Sequence, residues 1–234
     1  MRQVGPIFKK EFATYFVSPI AYIVISIFLL VTGWFFFTTF FLYNQANLRY
    51  FFGLLPLTFA FVVPAVTMRL FSEELNVGSY EILLTMPVTF REVILGKFLA
   101  ATAFVAAMLI PTLAYPITVS FLGDLDWGPV VGGYIGAILL GGAFAAVGLF
   151  ASSLTRNQII AFIIGTAICF TLTLIDKMLV VLPSLFVGPL QYLGADFHFE
   201  NISKGIIDSR DIIYFVSVGF VALYGAYLGL CERN

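Results

Sequence analysis

The sequence predicts an all-α integral membrane protein with six transmembrane helices, from three observations: where its charges fall, how long the gaps between them are, and how apolar the chain is. The 12 basic and 13 acidic residues are bunched, leaving residues 12–48, 50–68, 98–123, 127–155, 157–175 and 212–231 without charge. A helix rises about 1.5 Å per residue and the hydrocarbon core of a bilayer is about 30 Å thick, so each gap is long enough to cross. Hydrophobic residues fill 61% of the 234 positions and charged ones 11%, with a mean hydropathy of +1.02. A soluble domain of this size could not hide that much apolar surface. Residues 1–234 are therefore read as one transmembrane domain.

Residues 1–18 are expected to form an interfacial elbow helix. Val4, Phe8, Phe12 and Tyr15 recur at helical spacing while Lys9, Lys10 and Glu11 point elsewhere. A disordered basic tail is the alternative, and the mixed composition does not suit a cleavable signal. The spans are placed at 20–43, 52–70, 98–122, 130–153, 159–175 and 212–230. Pro56 and Pro64 are expected to bend the second, and Pro111 and Pro116 lie inside the third. The fourth is rich in glycine: Gly132, Gly136, Gly141 and Gly148 let another helix backbone come close. Packing within one subunit is preferred over a dimer seam.

Six crossings put both termini on one side. With that side cytoplasmic, 8 of the 12 basic residues lie inside and 4 outside, the bias that membrane insertion favours. The uncharged stretch 178–195 leaves a seventh crossing open. Pro183, Gly188 and Pro189 break it into short halves, so residues 178–211 are read as an extracytoplasmic segment of short, broken re-entrant or outer helices.

The segment 72–96, between spans two and three, is the one cytoplasmic connection with structure of its own. On a helix, Glu74, Gly78 and Glu81 share one face and Leu75, Ile82 and Met86 another. Pro87 is expected to end that helix at Met86, and Thr89 with Glu92 has the form of a capping box that starts the next. Helix, sharp break, helix makes a rigid knob on which a soluble partner can push. A surface-lying hairpin with no partner is the other reading.

The pattern Arg69, Glu73-Glu74, Gly78-Ser79, Glu81, Leu83-Leu84, Pro87-Val88-Thr89 and Gly96-Lys97-Phe98 resembles the coupling-helix region of type 2 ABC exporter permeases. The string from His198 to Phe215 is similar to the permease subgroup associated with gliding motility. The resemblance implies a permease subunit of the bacterial cytoplasmic membrane that pairs with a second permease, identical or related. Two separate cytoplasmic ATPase subunits, which bind the ATP and Mg²⁺, would drive it. It implies ATPase coupling through Glu73, Glu74, Gly78, Ser79, Glu81, Leu83, Pro87 and Arg91. His198, Glu200, Asp208 and Arg210 are candidates for contact with an extracytoplasmic partner protein.

No phosphate-cradling loop is present: Gly96-Lys97 is followed by Phe98, and Arg91 stands where an earlier glycine is needed. The chain is thus expected to hold no cofactor and to catalyse nothing itself. A single histidine and two distant cysteines, Cys169 and Cys231, suit neither a metal site nor a catalytic triad. A pI near 5.8 gives no nucleic-acid surface. Spans almost free of charge disfavour a proton-coupled secondary transporter. A membrane anchor that passes ATPase-driven motion to an outer partner, moving no solute, is kept as the alternative.

Overall fold

A computed structural model describes residues 3–43, 47–78, 88–178, 191–206 and 208–231. Among these residues all regular structure is helical. The helices are α1 (Val4–Val17), α2 (Pro19–Tyr43), α3 (Arg49–Thr67), α4 (Arg69–Val77), α5 (Phe90–Leu109), α6 (Ala114–Leu122), α7 (Trp127–Leu154), α8 (Gln158–Met178), α9 (Ala195–Ser203) and α10 (Ser209–Cys231). Six units are long and apolar enough to cross a membrane: α2, α3 with α4, α5 with α6, α7, α8 and α10.

The spans pack around α7, which touches α3, α4, α5, α8, α9 and α10 and is the most buried of them. Apolar side chains gain little by meeting each other rather than lipid tails, so close backbone approach is what holds such a bundle together. The glycines of α7 supply it. A Cβ added at Gly141 would lie 2.5 Å from Val105 of α5, and one at Gly148 would lie 1.9 Å from Thr67 Oγ1 of α3. At the other end of α7, a Cβ at Gly132 would meet the Ile202 carbonyl of α9 at 2.5 Å, and Gly136 faces Ile202 and Phe199. The outward faces of α2, α8 and α10 carry exposed apolar residues such as Trp34, Ile163 and Phe220, a surface suited to lipid.

Two crossings are broken, and α7 braces both breaks. The third begins at Phe90, well before residue 98, because the Thr89–Glu92 capping box starts it: Thr89 N–H donates to Glu92 Oε2 at 3.2 Å and Glu92 N–H to Thr89 Oγ1 at 3.4 Å. It is interrupted at Pro111, which has no N–H to continue the ladder, and a 3₁₀ turn over Pro111–Leu113 follows. Tyr134 of α7 donates its hydroxyl to the Thr112 carbonyl there at 2.9 Å. The second crossing breaks at Met68, between α3 and α4, and Pro56 and Pro64 both lie inside α3.

Within 178–211, α9 packs on α3, α7, α8 and α10, burying Ala195, Phe199 and Ile202. Residues 179–190, on which the re-entrant and seven-span readings both turn, lie outside the described residues.

Candidate functional site

The α4 end of the bundle brings together α1, α4, the start of α5 and the end of α7. Gly96 makes the first contact possible: a Cβ there would sit 2.6 Å from Ile7 Cγ2, so α1 lies directly against α5. The next residue, Lys97, is 1% exposed. Its ammonium donates to the Leu70 carbonyl at 2.8 Å, to Glu74 Oε1 at 2.7 Å and to Glu11 Oε1 at 3.2 Å. An ammonium has three protons, and here three acceptors on α4 and α1 take them all. Pairing of this kind is what makes a buried charge tolerable.

Ser152 of α7 holds the other side of α4. The N–H groups of Phe71 and Ser72 donate to its Oγ at 2.9 and 3.0 Å, and its hydroxyl donates to the Met68 carbonyl at 2.7 Å. These backbone groups flank the α3–α4 break and lack a continuous helical ladder, so one buried side chain replaces the missing partners. Arg69 stacks over the Tyr15 ring of α1, its guanidinium carbon 5.5 Å from the ring centre.

Burial pushes the Tyr15 phenol upward from its ordinary value, an effect the nearby Arg69 partly offsets. Tyr15 Oη and Glu74 Oε2 are buried and find no hydrogen-bond partner among the described residues. Both residues line a cavity of about 310 Å³ with Lys10, Glu11, Arg69, Glu73 and Lys97. The cavity is polar and roomy enough for water, which satisfies buried polar atoms of this kind.

The residues named from sequence are thus divided. Glu73 is exposed on α4, while Glu74 is tied into the Lys97 cluster. Gly78 ends α4 in the left-handed conformation at φ 79°, so the helix expected to run through it to Met86 stops at Val77. Glycine takes that conformation without the steric cost a Cβ brings. Ser79, Glu81, Leu83 and Pro87 lie outside the described residues. Arg91 is exposed and stacks over Tyr227 of α10 at 5.5 Å. Glu11, Lys97 and Ser152 are not among the site residues that the sequence points to. The signal available for Lys97 was its place as the last charge before an uncharged run; Ser152 carried none.

The α9 end holds a second polar group. His198 is 3% exposed and turned into the bundle, with Nδ1 at 2.6 Å from Asp211 Oδ1 and Nε2 at 3.1 Å from the Tyr192 carbonyl. Its ring stacks on Tyr214 at 4.1 Å. Glu200, Asp208 and Arg210 are exposed nearby. Asp208 is held below the usual carboxylate range, chiefly by the backbone N–H of Arg210.

Comparison with protein families matches residues 44–193 to the family described as ABC-2 family transporter protein. The chain belongs to the ABC-2 transporter family. The match covers the stretch from the start of α3 to the approach to α9, and so includes α4, Lys97 and Ser152. Comparison with curated proteins gives no match. As an ABC-2 chain with six helical units long and apolar enough to cross a membrane, it is a multi-pass membrane permease component of an ABC transporter, a family membership that implies association with ABC ATPase partners.

Proposed function

We propose that this ABC-2 chain is the permease subunit of an exporter, working as a dimer, and that two cytoplasmic ATPase subunits dock on the segment from Arg69 to Lys97. The observation that carries the reading is the Lys97 cluster, which fastens the base of α4 to α1 and α5. A handle pushed by a motor must not yield at its base, and α4 is held there by buried, charge-assisted bonds.

With α4 facing the cytoplasm, both termini lie on that side of a bacterial cytoplasmic membrane, which the 8-to-4 split of basic residues supports. ATP, held with Mg²⁺ by the motor subunits, draws them together and shifts the paired permeases between inward-closed and outward-open states. Glu73 and Arg91 are the exposed contacts among the described residues, and Ser79, Glu81, Leu83 and Pro87 are assigned to docking on the family resemblance alone. Kinship with the gliding-motility subgroup rests on the string from His198 to Phe215. There, exposed Glu200, Asp208 and Arg210 are offered to an extracytoplasmic partner.

The test is purification of the full chain from its native membrane, with the preparation probed for ABC ATPase subunits. Association and ATP hydrolysis are expected, with both weakened by Glu73→Lys and Glu81→Lys. The reading fails if no ATPase associates, or if both reversals leave complex and hydrolysis unchanged.

A further inference from the structure

We infer that Ser152 and Lys97 are positioning residues for coupling: they lock the α3–α4 break into a fixed corner, so that a push on α4 is delivered through α7 to α9 at the far side of the membrane. The inference rests on the docking reading above and adds the route by which the push travels.

A break in a span is ordinarily where a helix pair flexes, because its free N–H and C=O groups leave the corner unheld. Here the Met68 corner is held on two sides. A serine hydroxyl has one proton and two lone pairs. All three are used at Ser152, and they reach across the break, to Met68 on one side and to Phe71 and Ser72 on the other. Opposite, Lys97 spends one of its three protons on Leu70, in the same turn of α4. Bending at Met68 would therefore strand several polar groups in a place where Ser152 and Ser72 are both fully buried.

Ser152 lies near one end of α7, a helix of 28 residues, or about 42 Å at the usual rise per residue. Gly148, one turn before it, leaves no room for a Cβ against the Thr67 side chain and the Pro64 backbone of α3. At the opposite end, Gly132 and Gly136 seat α9 just as closely. Tightly packed elements transmit displacement instead of absorbing it. The route runs from α4 through Ser152 and along α7 to Ile202 and Phe199.

The experiment uses the full chain with its ATPase subunits in lipid nanodiscs. Cys169 and Cys231 are replaced, and an environment-sensitive fluorophore is attached at Glu200→Cys, an exposed position on α9. In the otherwise unaltered protein, ATP is expected to change the fluorescence. Ser152→Ala is expected to keep the ATPase bound and hydrolysing while the signal per ATP falls about tenfold, the scale of losing bonds to buried groups. Ser152→Thr, which keeps the hydroxyl, restores it.

An assembled complex that hydrolyses ATP with no signal at position 200 overturns the route. So does a Ser152→Ala protein with an undiminished signal, or a Thr variant as defective as the Ala one. If Ser152→Ala does not assemble, Glu11→Gln is read with the same label: a reduced signal with hydrolysis intact supports the corner, and an unchanged one overturns it. Failure of the ATPase to bind the unaltered chain overturns the docking reading instead.

Discussion

His198 Nδ1 and Asp211 Oδ1 lie 2.6 Å apart, joining α9 to the first turn of α10, and a proton must sit between them. The other ring nitrogen faces the Tyr192 carbonyl, which only accepts, so Nε2 carries hydrogen and Nδ1 has its own hydrogen only if the ring is cationic. The pair is thus either imidazolium with carboxylate or imidazole with carboxylic acid. Either form is neutral overall, as burial at 4% and 3% side-chain exposure favours.

Asp211→Asn is expected to be tolerated, since an amide N–H can donate to Nδ1 of a neutral ring. Asp211→Ala leaves the ring nitrogen unmet, and His198→Ala leaves the carboxylate unmet and removes the stack on Tyr214. Each should cost about 3 kcal/mol, the scale of breaking a buried pair. Thermal unfolding in detergent checks the order; an Asn variant as unstable as the Ala one would contradict the shared proton.

Lys97→Met should be among the most destabilising changes, at about 3 kcal/mol, because it takes from Glu11 and Glu74 the buried ammonium that both accept from. Adding Glu11→Leu and Glu74→Leu to the same chain is expected to recover most of the loss, since apolar replacements of a whole buried ion cluster are often close to neutral. Melting temperatures of the single and triple variants, measured side by side, decide it.

Neighbouring glutamates on α4 should separate cleanly. Glu73 is exposed, so Glu73→Lys is expected to leave the stability within about 0.5 kcal/mol of wild type while weakening ATPase capture. Glu74→Lys puts a second cation against Lys97 and should lower stability before docking is in question. Pull-down and thermal unfolding on the same preparations distinguish the two.

Glycine substitutions offer a map of helix packing. Gly132→Ala and Gly148→Ala would drive a methyl group into the Ile202 carbonyl and Thr67 Oγ1, so both should destabilise, with Gly132→Ala loosening α9. Gly53→Ala on α3 meets nothing within 4 Å and should be neutral or stabilising by up to about 1 kcal/mol. Proteolysis near α9, compared across the three variants, reports the local effect.

The crossings were legible because lipid imposes a rule that sequence obeys openly: α7, α8 and α10 begin and end within a few residues of uncharged runs, and α2 lies inside one. Thr89 and Glu92 were legible too, since a capping box is local chemistry. The stop at Val77 was missed because Gly78 reads equally well as a small face residue or a helix end, and only its positive φ decides. Lys97 with Glu11, and His198 with Asp211, join residues 86 and 13 apart, and nothing local in either partner announces the other. Ser152 stayed hidden because serine in an apolar helix usually satisfies its own backbone, as Ser153 does by donating to the Phe150 carbonyl.

Tyr134 and Ser152 stand on the same unbroken helix, and each fastens one of the two interrupted crossings. A tilt of that single rod therefore reaches both interruptions at once. The permease inherits a linked pair of joints, and a lesion anywhere along the rod should be felt at both membrane faces.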